Sequence, residues 1–237
     1  MKRKIEDILF KWNGEKKPLP FMLLGARQTG KTYILEDFCK RNFEHYVYLN
    51  FFENADFSSF FQHSLNTQHI LTNIELYLGK KIDLANTVFF FDEIQECEQA
   101  IASLKFFAES PLPIKIVTAG SLLGVKLNRM TSPFPVGKVH IETLYPMDFE
   151  EFLWALDETL LASTIREHFL TNQSFPEIVH KKAMNLYKSY LCIGGMPASV
   201  KDFAEKQQDL VLADNSIKNN ILTGYLADMT KYAANID

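Results

Sequence analysis

Eight residues, Gly25-Ala26-Arg27-Gln28-Thr29-Gly30-Lys31-Thr32, have the types and spacing to hold a phosphate chain. They match G-x-x-x-x-G-K-[ST] at every fixed position. Gly25 and Gly30 permit backbone torsions that a Cβ resists, so the loop can wrap around an anion. The N–H groups of Ala26, Arg27, Gln28, Thr29 and Gly30, with the start of the next helix, are suited to a β-phosphate. Lys31 supplies a point charge for the β- and γ-phosphates, and Thr32 offers a hydroxyl to magnesium. A structural glycine turn can carry the same letters. The flanking segments argue against it, because an apolar strand precedes the loop and an amphipathic helix follows it.

A second acidic motif stands some sixty residues on. Val88-Phe89-Phe90-Phe91 is a strand apolar on both faces, and Asp92-Glu93 emerges at its C-terminal end. Open α/β sheets hold their ligands at that edge. Asp92 is expected to hold magnesium through water, and Glu93 to polarise the attacking water as general base. The adjacent carboxylates separate two branches of phosphate-loop proteins. Nucleotide kinases and GTPases usually lack the second one; ATPases with an additional central strand usually carry it. The simpler alternative is that one of the two caps the next helix.

Weaker candidates surround these. Ser121, or in reserve Thr118, closes the fourth strand where a polar residue can sense a γ-phosphate; equally, Ser121 could cap the following segment. Asn50, ending the second strand, could restrain Glu93, or simply end a strand. Arg129 is a candidate arginine finger, or a solvated loop residue. The six histidines show no metal-ligand spacing, which leaves magnesium as the expected metal.

These residues need elements to position them. The apolar runs Phe21–Leu24, Tyr46–Phe51, Val88–Phe91 and Ile114–Gly120, with the alternating stretch Val136–Leu144, predict five strands. Helical periodicity covers Ile5–Trp12, Lys31–Arg41, residues 56–79 and Gln99–Glu109. Strands alternating with helices predict an α/β fold, with a parallel sheet covered on both faces. After Pro146 the pattern is helical, so a boundary is expected near Tyr145: a core over 1–145 and a helical lid over 146–237. A length of 237 residues allows that division. The polar-apolar pattern looks unfinished at Asp237, so a fragment of a longer protein is expected. The net charge of -4 disfavours a nucleic-acid surface. Three scattered cysteines suit neither disulfides nor a metal cluster, and no apolar run spans a membrane. A cytosolic location is expected.

The segments Gly25–Thr32, Phe91–Gln95 and Thr118–Ser121 resemble the prokaryotic AAA-14 family of ATPases, within the wider AAA+ and STAND-like group. So do Phe134–Val139, Leu144–Phe152 and the later Gly194-Gly195-Met196-Pro197. The resemblance covers nearly the whole chain. It implies ATP as the nucleotide, a five-stranded sheet ordered 5-1-4-3-2 with a helical lid, and a further C-terminal domain of unknown function, of which only the start would be present. Many relatives have Gly-Arg where this chain has Gly137-Lys138. If that arginine senses nucleotide, lysine weakens the role, since it lacks the bidentate fork. A protein partner or self-association stays open, as does a nucleotide-gated switch with negligible turnover; a DNA-associated or defence role enters by analogy alone.

Overall fold

The computed structural model describes residues 1–121 and 134–233. Five strands, β1 (Phe21–Leu24), β2 (His45–Asn50), β3 (Thr87–Asp92), β4 (Lys115–Gly120) and β5 (His140–Thr143), form one sheet in the order β2-β3-β4-β1-β5. Every pairing is parallel. The crossovers carry α2 (Lys31–Asn42), α3 (Thr67–Leu78) and α4 (Glu98–Glu109), while α1 (Ile5–Asn13) leads into β1.

Side chains alternate along a strand, so each central strand feeds two cores. Met22, Phe89, Phe91 and Ile116 pack with Ile70, Leu71 and Ile74 of α3 and Ile101, Leu104 and Phe107 of α4. Phe21, Leu23, Val88, Phe90 and Val117 pack on the other face with Leu9 and Trp12 of α1 and Ile34, Leu35 and Phe38 of α2. Burial on both faces is why these strands read as unbroken apolar runs.

The expected helix over 56–79 divides in two. A 3-10 turn spans Ala55–Phe61, and α3 starts afresh at Thr67. Two asparagines cause the restart. Asn54 accepts from the N–H of Asp56, and Asn66 accepts from those of Gln68 and His69, each satisfying donors at a helical start. The expected strand Val136–Leu144 shrinks to His140–Thr143. Its first half is a turn, with Lys138 N–H donating to Pro135 O at 3.1 Å and Gly137 at φ 71°.

The chain divides into two compact units: Ile5–Leu144, and Tyr145–Asp237 together with Met1–Lys4. The second unit contains α5 (Phe149–Ala155), α6 (Thr159–Thr171), α7 (Glu177–Ile193), α8 (Pro197–Glu205) and α9 (Asn215–Ala233). Met147, Phe152, Leu156, Ile193, Val200 and Phe203 form its own core. Met147 N–H donates to Gly195 O at 2.7 Å, and Tyr190 Oη donates to Met147 O at 3.0 Å. The Tyr-Pro-Met-Asp-Phe and Gly-Gly-Met-Pro segments therefore meet in space. No helix among the described residues is long and apolar enough to cross a membrane.

Asp148 opens α5 with a reciprocal cap. Its Oδ1 accepts from Glu151 N at 2.9 Å, and Glu151 Oε2 accepts from Asp148 N at 3.3 Å. The same turn binds the N-terminal residues: Lys4 Nζ lies 2.6 Å from Asp148 Oδ2, and the buried Arg3 Nε 3.1 Å from Glu151 Oε2. Asp148→Ala is expected to lower stability by about 1 kcal/mol, the usual cost of losing a cap. Asp148→Asn, which keeps the acceptor, should cost less, since the Lys4 pair is exposed and contributes little. Urea unfolding of the two variants checks this, and equal losses would assign the effect to charge instead of the cap.

Candidate functional site

The loop between β1 and α2 is built on a backbone that only part of the residue repertoire tolerates. Gly25 has φ 148°, and a Cβ there would lie 2.3 Å from Leu144 O. The same residue is tied to β1, its N–H bonded to Leu24 O at 2.7 Å, so the two backbones stay close. Gly30, at φ 93°, is the N-cap of α2 and offers no side-chain acceptor. The first-turn N–H groups of α2 have no intrahelical acceptors, and α2 carries no acidic residue in that turn. Positive potential is thus left for an external anion. Thr29, fully buried, ties the loop together by donating from Oγ1 to Ala26 O at 2.9 Å. Gln28 has φ 64°, and Ala26 and Arg27 complete the loop.

Lys31 is 7% exposed, and its Nζ donates to the loop's own carbonyls, Gly25 O at 3.0 Å and Ala26 O at 2.8 Å. Burial lowers its pKa, against the opposing pull of Glu93 and Asp92. An anion beside this ammonium would replace neutral acceptors with charged ones, giving stronger bonds.

Asp92 ends β3 and is 2% exposed. Its Oδ1 accepts from Thr32 Oγ1 at 3.3 Å and Glu93 N at 3.0 Å; its Oδ2 accepts from Tyr48 Oη at 2.8 Å. Burial raises its pKa, and these three donors oppose the rise. Thr32 and Asp92 thus present two hard oxygens side by side, a donor set that fits magnesium. With the cationic, left-handed loop next to them, they fit a magnesium-bound phosphate chain. Tyr48 is fixed in turn, accepting from Asn50 Nδ2 at 3.1 Å.

Glu93 follows at φ 48°, ψ 42°, a left-handed conformation that is uncommon for a residue with a Cβ. Such strain clusters at functional sites. A 3-10 turn, Ile94–Glu96, then brings Gln95 back towards it. Glu93 Oε2 accepts from Gln95 Nε2 and from Ser121 Oγ, the latter at 3.1 Å. Ser121 N–H donates to Gln95 Oε1 at 3.2 Å. Ser121 stands just beyond β4, the strand between β1 and β3, and so between the loop and the acidic pair.

The structure therefore gathers Lys31, Thr32, Asp92, Glu93 and Ser121 at one edge of the sheet. Three further residues raised by the sequence take these positions. Ser121 is turned to Glu93. Asn50 does not restrain Glu93; its Oδ1 accepts from the N–H groups of Phe52 and Glu53, at 3.0 and 3.1 Å, and its amide faces Tyr48. Lys138 lies at the opposite edge. His140 pairs with Phe21, the first residue of β1, so Lys138 precedes the sheet while the loop leaves it after Leu24. At about 3.3 Å per residue the strand Phe21–Leu24 alone sets them roughly 10 Å apart. Lys138 Nζ pairs there with Glu109 Oε1 at 3.0 Å. Thr118 is fully buried and its Oγ1 has no partner among the described residues. Arg129 lies outside the described residues. Tyr48 and Gln95 join the site without a role assigned from sequence. Signals existed for both: Tyr48 shares a strand face with Asn50, and Gln95 is two residues from Glu93.

A family model described as an AAA domain (AAA_14) matches residues 17–153. No curated protein matches the chain. Among solved structures, a chain from the structure of Drosophila ORC bound to DNA is similar with a TM-score of 0.50 and 14% identity, covering 95% of this chain and 66% of that one. The Aeropyrum pernix ORC2 protein in its ADPNP-ADP complexes gives 0.41 at 15% identity, over 65% of this chain and 48% of that one. The Aeropyrum pernix ORC1 protein in complex with DNA gives 0.41 at 13%, over 80% and 65%. The chain thus spans 66% or less of the length of each. At such identities the first likeness bears on the fold alone.

Proposed function

As this chain belongs to the AAA_14 family of AAA domains, we propose that it binds Mg-ATP and hydrolyses it to ADP and phosphate, and that turnover drives a conformational change. The observation that carries this reading is the meeting of Thr32 Oγ1 with Asp92 Oδ1 at 3.3 Å, with the buried Lys31 and the partly buried Glu93 beside them.

In this reading the loop Gly25–Gly30 and the start of α2 bind the phosphates through backbone N–H groups. Lys31 gives up its carbonyl contacts for phosphate oxygens. Thr32 and Asp92 would hold magnesium, whose chemistry there would be to offset charge on the phosphates. Glu93 takes a proton from the attacking water. Its Oε2 is already engaged, and its Oε1 makes no hydrogen bond among the described residues, which leaves that oxygen to accept. Ser121, at the end of β4, is the side chain we assign to report the γ-phosphate to Glu93. We assign residues 1–145 as the ATPase core and 146–237 as the helical lid that responds.

The test is phosphate release from Mg-ATP, measured with a thermal scan in parallel. Release together with a raised melting temperature is the expected result. A raised melting temperature with no release would replace the hydrolytic reading with the nucleotide-gated switch. No effect of ATP on either would remove both.

A further inference from the structure

We propose that Gln95 is the positioning residue for Glu93: its side-chain amide, locked against the end of β4, holds one carboxylate oxygen and leaves the other to take a proton. The inference rests on the reading of Glu93 as general base.

An amide side chain has one acceptor end and one donor end. Ser121 N–H, a backbone group that can only donate, lies 3.2 Å from Gln95 Oε1. The acceptor end is thereby assigned, and Nε2 must face the other way, where Glu93 Oε2 accepts from it. Turning the amide over would set N–H against N–H and oxygen against carboxylate. Gln95 is 7% exposed, so an unpaired amide there would carry a desolvation cost with little relief from water. The orientation is therefore set by its surroundings. Ser121 Oγ adds a second donor to the same carboxylate oxygen at 3.1 Å.

Glu93 needs such support. A glutamate side chain has several rotatable bonds, and its backbone here stands outside both strand and helix at φ 48°. Fixing one oxygen before substrate arrives removes that freedom in advance, which is how a reacting group is kept in place. Gln95 itself need not touch nucleotide.

The experiment compares wild type, Gln95→Leu, Glu93→Gln and the double variant in phosphate release, with nucleotide Kd measured by titration. Gln95→Leu is expected to lower kcat roughly 10- to 100-fold, while KM and Kd stay within narrow limits and the melting temperature falls modestly, because the buried Ser121 N–H loses its acceptor. The double variant is expected to match Glu93→Gln, because the two residues act as one unit. A second readout does not use turnover. The Gln95 side-chain amide resonance, identified by its loss in Gln95→Leu, should shift and exchange faster in Glu93→Ala. Unchanged or raised kcat in Gln95→Leu would overturn the proposal, as would an amide resonance indifferent to Glu93→Ala. If Gln95→Leu does not fold, Gln95→Asn, which keeps the amide but shortens its reach, takes its place. Wild type that binds ATP without releasing phosphate would instead defeat the hydrolytic reading, and the resonance would still decide the contact.

Discussion

In a melting scan, wild-type chain at an ATP concentration one hundred times its Kd is expected to gain about 2.7 kcal/mol, and Lys31→Ala to gain none of it. For a chain of this size that is a shift of roughly 5–11 °C. The Lys31 ammonium is buried among the loop's own carbonyls, and that burial lowers its pKa. The buried ammonium therefore carries a desolvation cost that anionic oxygens would relieve. Alanine removes the ammonium and its cost together, so the nucleotide-free melting temperature should move far less than the ATP-induced shift. A variant that kept the full shift would place the nucleotide elsewhere.

Glu93→Gln is expected to separate binding from turnover. The substitution is isosteric, and its carbonyl oxygen can still accept from Gln95 Nε2 and Ser121 Oγ. It cannot take a proton. Loss of a general base lowers the rate by roughly 10²–10⁴-fold, while the ATP-induced shift in melting temperature should persist, because the loop, Thr32 and Asp92 are untouched. Phosphate release beside the same thermal scan reads both quantities. A variant retaining more than about a tenth of wild-type turnover would assign the base to another group. The pair of variants also separates the role of Glu93 from that of the loop: Lys31→Ala loses binding, and Glu93→Gln loses chemistry alone.

Much of the fold was legible in the chain itself because its signals are local. Burial on both faces of a parallel sheet demands continuous apolar strands, and Phe21–Leu24 and Val88–Phe91 obey that demand without help from distant residues. The loop was equally legible, since left-handed torsions at Gly25 and Gly30 constrain residue type directly. Local signals failed where two of them competed. Apolar periodicity over 56–79 concealed the asparagine caps that restart the helix, and alternation over Val136–Leu144 concealed a turn at Gly137. The tertiary structure alone decided which polar groups meet. Glu93, Gln95 and Ser121 come together because β4 lies beside β3, although 28 residues separate Glu93 from Ser121. The pairing of β2 with β3 likewise brings Tyr48, bonded to Asn50 on its own strand, to Asp92, and the parallel register of β5 puts Lys138 at the far edge from the loop. Backbone torsion and strand burial are properties of a short segment, and sequence states them. A hydrogen bond between side chains on different strands depends on strand order and register, which are settled only when the sheet is assembled.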